Sequence, residues 1–111
     1  MGLGKMNTFI DIVETQSSKD EEGFTSKRDV VLASVRAYRE GRHGSERWAN
    51  LAAFSQATDL FRIRRIPDFT ITTDYFILCD GERYNITSKD GIRGCGMYVE
   101  ILTERAVGSV G

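Results

Sequence analysis

Two short apolar runs, Phe76-Ile77-Leu78-Cys79 and the alternating Tyr84 and Ile86, meet at Asp80-Gly81. An Asp-Gly pair between alternating hydrophobics specifies a tight hairpin. The two-residue turn whose twist matches its strands needs positive φ at both central positions, and these residue types reach it with least strain. A lone two-stranded ribbon is marginal in water, so a chain built on such a hairpin has to find further strands. The sequence offers them. In residues 7–15, Phe9, Ile10, Ile12 and Val13 supply apolar side chains to both faces of a first strand. Val31, Ala33, Val35 and Ala37 alternate with Leu32, Ser34, Arg36 and Tyr38 in a second strand whose inner face is small. Phe61 and Ile63 face in while Arg62 and Arg64 face out of a third, which Pro67 stops because it has no N–H for a ladder. Met97, Val99 and Ile101 alternate with Tyr98, Glu100, Leu102 and Glu104 in a last strand, so the chain closes on a three-stranded meander.

Between these strands the composition changes. Residues 16–28 are dominated by turn formers and charges, including Ser17, Ser18, Lys19, Asp20, Glu21, Glu22 and Gly23, and read as a long exposed hairpin loop. Residues 68–74 read as a loop, and Lys89, Asp90, Gly91 and Gly94 as a connection. Between Glu40 and Asp59 the period lengthens. Gly41 and Gly44 break the strand, Ser45 can cap a helix with Glu46 in its first turn, and Trp48, Leu51, Ala52 and Ser55 follow at helical spacing. The expectation is one helix of about three turns anchored on the sheet by Trp48, Leu51 and Ala52. The fold class is therefore mainly β with one helix (α+β), of about six strands, the helix inserted between the second and third.

A chain of 111 residues suits one domain, 1–111, with a core over about 7–105 and a tail, 106–111, with little to hold it when alone. Fifteen Lys and Arg against sixteen Asp and Glu leave no global field to draw nucleic acid or an anionic membrane. No apolar run has the length of a membrane span, and the first residues lack an apolar signal region, so the protein is expected in the cytosol. Cys79 and Cys95 match neither a redox pair nor a zinc pattern and read as small core hydrophobes.

The residues of catalysis are scarce. His43, the sole histidine, lies between Arg42 and Gly44 in an expected loop and reads as a surface residue. Asp20, Glu21 and Glu22 lack the alternating spacing of a calcium loop and read as a solvated charge run. Gly91, Gly94 and Gly96 belong to a hairpin connection and open no helix, so they cradle no phosphate. No catalytic set, metal site or cofactor follows. Arg62, Arg64 and Arg65 could line a nucleic-acid groove, but no exposed aromatics interleave with them. A solvated or subunit-facing surface is the better reading, with Glu82, Glu100 or a neighbour's carboxylates as partners.

An ordered set of segments nevertheless points to a family. Gly44-Ser45-Glu46-Arg47, the helical pattern through Ala57 and Thr58, and Phe61-Arg62-Ile63-Arg64 with Pro67 come first. Thr73-Asp74-Tyr75-Phe76-Ile77-Leu78, then Asp80-Gly81-Glu82-Arg83-Tyr84-Asn85-Ile86, then Tyr98-Val99-Glu100-Ile101-Leu102-Thr103-Glu104 follow. In this order they resemble the phage head-tail joining proteins, the head-closure adaptors of siphovirus-like particles, over roughly residues 28–105. The resemblance implies a small antiparallel β-barrel, SH3-like or OB-like, carrying one helix. It implies copies forming a ring between the portal-connector protein and the tail-completion protein, extending a channel through which DNA only passes. Such a subunit would be made in the host bacterial cytoplasm, be a monomer in isolation and a ring oligomer in the particle, and end in the virion. A ring needs one patch to meet a different patch on the next copy. Asp20, Glu21 and Glu22 against Arg36, Arg39, Arg42 and Arg47 are candidate opposite sides of that joint, on charge alone. The alternative is a cytosolic small-barrel module gripping a peptide or single-stranded nucleic acid.

Overall fold

The Asp80-Gly81 turn forms as its composition demands, with φ of 53° and 79° at its two central residues and Cys79 paired with Glu82 across it. A computed structural model describes residues 6–41 and 56–106, and there the chain builds seven strands. They are β1 (Thr8–Lys19), β2 (Thr25–Gly41), β3 (Asp59–Arg64), β4 (Tyr75–Cys79), β5 (Glu82–Ile86), β6 (Ile92–Cys95) and β7 (Tyr98–Arg105). All belong to one sheet in the order β3-β2-β1-β4-β5-β7-β6, and every pairing is antiparallel. β3 pairs with β2 through one edge and with β7 through the other, from Asp59↔Thr103 to Arg64↔Tyr98. The sheet therefore curls until its ladder returns to β3, and β6 lies beside the first half of β7.

That curl sets the core. Ile10 and Ile12 of β1, Ala37 of β2, Phe61 and Ile63 of β3, Ile77 of β4, Tyr84 of β5 and Ile101 of β7 are buried together. Phe61 meets Tyr84 edge to face, ring centroids 5.1 Å apart. The small inner face of β2 lets Ala33 and Val35 pack against this cluster. Adjacent residues on a strand point to opposite faces, so Leu60 and Leu102, beside Phe61 and Ile101, reach the other side. There they form a second cluster with Ala57, so β3 and β7 each bury an apolar side chain on the second face as well, which the alternating pattern did not announce.

The α+β expectation is corrected to an all-β class. Among the described residues the helical content is one three-residue 3-10 turn, Lys89–Gly91, and no helix stands between strands. The expected helix from Ser45, with Trp48, Leu51 and Ala52, falls on residues 42–55, outside the described residues, as do His43 and the tail 107–111. Its expected end is not helical: the Thr58 N–H donates to the Thr103 carbonyl at 2.8 Å, which leads the backbone straight into the β3–β7 ladder.

Two further expectations change. Residues 16–28 are mostly strand, paired without interruption from Gln16↔Arg28 to Lys19↔Thr25. Their polarity reports exposure on both faces, which a ribbon without a covering layer has, and not absence of a ladder. The connection after Lys89 contains β6, four residues whose glycine content hid a pairing with residues 98–101. Cys79 is buried in the core as expected, while the Cys95 side chain is outside the description.

Candidate functional site

β1 and β2 outrun the rest of the sheet. Pairing of β1 with β4 ends at Glu14↔Tyr75, and pairing of β2 with β3 begins only at Ala37↔Ile63, so residues 15–19 and 25–29 form a two-stranded arm with no third strand. At its tip Asp20 shapes the turn: its backbone N–H donates to Phe24 O at 3.0 Å, and its Oδ1 accepts the N–H groups of Glu22 (2.9 Å) and Phe24 (2.8 Å). Gly23 supplies the one left-handed residue, φ 86°. The three acidic residues thus divide their work. Asp20 holds the turn, and Glu21 and Glu22 stand exposed beside Phe24, itself 69% exposed.

The arginines separate in the same way. Arg36 is exposed on β2, its guanidinium carbon 5.2 Å from the ring centroid of exposed Phe9, its cross-strand neighbour. Where β3 leaves β2, Arg64, Arg65, Ile66 and Pro67 face Met6, Val35 and Arg36 across a groove of about 520 Å3. The Arg65 Nε donates to Gly96 O at 3.2 Å, and among the described residues no carboxylate pairs with Arg36, Arg64 or Arg65. Arg39 is different. Its Nε donates to Asp59 Oδ2 at 2.9 Å, and its guanidinium lies 5.5 Å from the Tyr84 ring centroid, over one end of the core. Burial works against the Arg39 charge, but the hydrogen bond and the charge of Asp59 outweigh it and hold its pKa above the ordinary value. Arg39 is therefore committed within the subunit, and Arg42 and Arg47 lie outside the described residues.

Two carboxylates named as partners for the β3 arginines find separate ends. Glu100 takes Arg62 from the facing strand, Arg62 Nε at 3.0 Å with Nη2 on the same oxygen, whereas Glu82 pairs with Arg105 at 2.7 Å. Sequence reasoning missed buried Asp59 and the groove floor of Met6, Val35, Ile66 and Pro67. Asp59 carried one signal, a charge flanking a strand with apolar residues on both faces; the floor carried none, since it joins segments about 30 residues apart.

Cys79 and Tyr84, beside Arg39 and Asp59, both have raised pKa values, chiefly because burial disfavours the thiolate and the phenolate. Each loses its proton more easily in the unfolded chain, so its contribution to stability is complete below the unfolded pKa and is lost as pH rises through the folded one. Urea midpoints are expected to fall steadily above about pH 8.5, the ordinary thiol value, and to fall less in a Cys79→Ala chain. A midpoint flat from pH 8 to 10.5 would contradict this.

Among the described residues no group of His, Cys, Asp and Glu is arranged to hold a metal ion, and no helix is long and apolar enough to cross a membrane. The surface features that stand out are the acidic aromatic arm and the arginine-rimmed groove. A comparison with curated proteins found no match. The solution structure of protein SF1141 from Shigella flexneri 2a superposes on this chain with a TM-score of 0.74 at 15% identity, covering 98% of this chain and all of the other, which shows a shared fold. The model of the phage head completion protein family matches residues 1–106, nearly the whole sequence and every strand of the sheet. The ordered segments that resembled head-closure proteins therefore have their explanation: the chain belongs to the phage head completion protein family, a structural family of the bacteriophage head.

Proposed function

We propose that this chain acts as one subunit of a ring that closes the filled head, seated between the portal-connector and the tail-completion protein, and that its copies extend the channel through which DNA passes. The observation that carries the reading is the family match over residues 1–106. A role among the structural components of the phage head follows from the family alone. The ring, the channel and the named neighbours are the finer part of the reading, supported by two surfaces of opposite charge on a single sheet. A closed sheet suits a load-bearing spacer: its ladder returns to β3, so its free edges are confined to β6 and to the part of the β1–β2 hairpin that outruns β3 and β4. Work in this setting is done by surfaces, without catalysis. The subunit would be made in the host cytoplasm as a single domain and end at the head-tail interface of the virion.

The test is complementation. Heads assembled without this chain are expected to package DNA yet fail to take tails, and adding the purified protein to them should restore infectivity, with the protein then found at the portal vertex by electron microscopy. Tailed, infectious particles formed equally well in its absence would end the proposal.

A further inference from the structure

We infer that the acidic tip of the β1–β2 arm docks into the arginine-rimmed groove of a second copy of this chain, and that this contact is the repeating joint of the ring. The inference rests on the ring reading above and names its interface.

The tip and the groove are complementary in charge and in shape. The tip carries exposed Glu21 and Glu22 with the 69% exposed Phe24 beside them. The groove is lined by half-buried Met6 and Ile66 and by three exposed arginines, Arg36, Arg64 and Arg65; Arg65 donates to Gly96 O and Arg36 lies over Phe9, and none is held by a carboxylate among the described residues. An aromatic ring can take the floor while two carboxylates take the rim, an arrangement in which each partner satisfies what the other leaves open. Lys19 is the one positive charge at the tip, and it sits at the base of the turn, paired with Thr25.

Reach decides between the chain's own groove and a neighbour's. The groove lies at the level of Val35 and Arg36, and the tip begins at Thr25, so ten residues of extended β2 separate them, roughly 30 Å along a straight ladder. The arm cannot fold back without breaking pairs of the twelve-pair β1–β2 ladder, whose last five make the arm. The two surfaces thus lie at opposite ends of one hairpin, which is the condition for a head-to-tail contact that closes into a ring. The arm also needs such a seat, since a ribbon of two strands with polar faces has little of its own to hold it in water. The 56 Å long axis of the molecule, against 32 and 24 Å for the others, reflects this projection.

The experiment places a photoreactive benzoylphenylalanine at position 24 of the full-length chain. Irradiation is carried out both in particles and in a concentrated solution of the protein. A crosslink from residue 24 of one copy to the 64–67 segment or Met6 of another supports the contact. Crosslinks in both settings that reach only other peptides, or no crosslink between copies in either, overturn it. In parallel, R64E/R65E and E21R/E22R are each expected to lower incorporation into particles by about tenfold or more, and the combined charge-swapped chain to recover most of it. Circular dichroism confirms that each variant folds. Unchanged incorporation of both folded single-surface variants overturns the inference. The role is judged separately: if the wild-type chain never enters particles, the ring reading fails, while the solution crosslink still decides the contact.

Discussion

Replacing Phe61 with alanine lowers the stability of this protein by about 3–5 kcal/mol, the range for deleting a fully buried aromatic side chain. Phe61 has no solvent exposure and lies on β3, the strand at which the sheet closes through pairing with both β2 and β7. Its ring stands edge-on to Tyr84 at 5.1 Å, so the substitution removes area and an aromatic pair together. A core between two free layers could relax inward; here the backbone around the void is fixed by ladders on both sides, and the cavity stays. Domains of this size have about 5–15 kcal/mol in total, so a large share of the stability goes with one side chain. Urea unfolding checks it: the midpoint should fall with the slope unchanged, and Phe61→Leu should lose about half as much. A loss below about 1 kcal/mol would mean that the closure at β3 does not depend on this packing.

Phe61 also marks where the sequence was easiest to read. Its alternation with Arg62, Ile63 and Arg64 placed the strand and its inner face, and Pro67 ended it close to the right position. Asp80-Gly81 gave the turn with both positive φ values, because that chemistry is local and complete within two residues. What the sequence hid was whatever depends on a partner distant in the chain. The arm looked like a loop since both its faces are wet, and period of two in polar residues carries no apolar signal. Ile12 and Val13 are both buried next to a register shift, where Ile12 pairs with Ala33 and Val13 with Val31, a bulge that alternation cannot anticipate.

The candidate surfaces show the same division. Exposure of Glu21, Glu22 and Arg36 followed from composition, and the structure keeps all three at the surface. Charge alone could not tell that Asp20 shapes a turn, that Arg39 is held by Asp59, or that Arg64 and Arg65 are the arginines lying beside Arg36. The first is a matter of backbone geometry within residues 20–24, and the other two are fixed only when β3 is brought against β2.

Glu100→Ala is expected to cost about 3 kcal/mol, the low end of the range for breaking a buried ion pair from one side. Arg62 and Glu100 face each other directly across β3 and β7, with 12% and 6% of their side chains exposed. The carboxylate accepts both Nε and Nη2 of Arg62; what remains to the guanidinium after the substitution is the face of Tyr38, with its ring centroid 5.8 Å away. The partial exposure of Arg62 lets some water replace the lost partner, which is why the value sits at the bottom of the range. Removing the stranded charge as well should reverse most of the loss: Arg62→Met added to Glu100→Ala is expected to regain more than half of it, since an apolar stem packs on Tyr38 without requiring a counter-ion. Chemical denaturation of the two single variants and the double variant measures the coupling. Equal and additive losses would mean that the pair contributes through separate contacts of each residue. Partial recovery in the double variant would show that it is the unpaired charge on the outer face of β3, more than the lost contact, that this part of the sheet cannot accommodate.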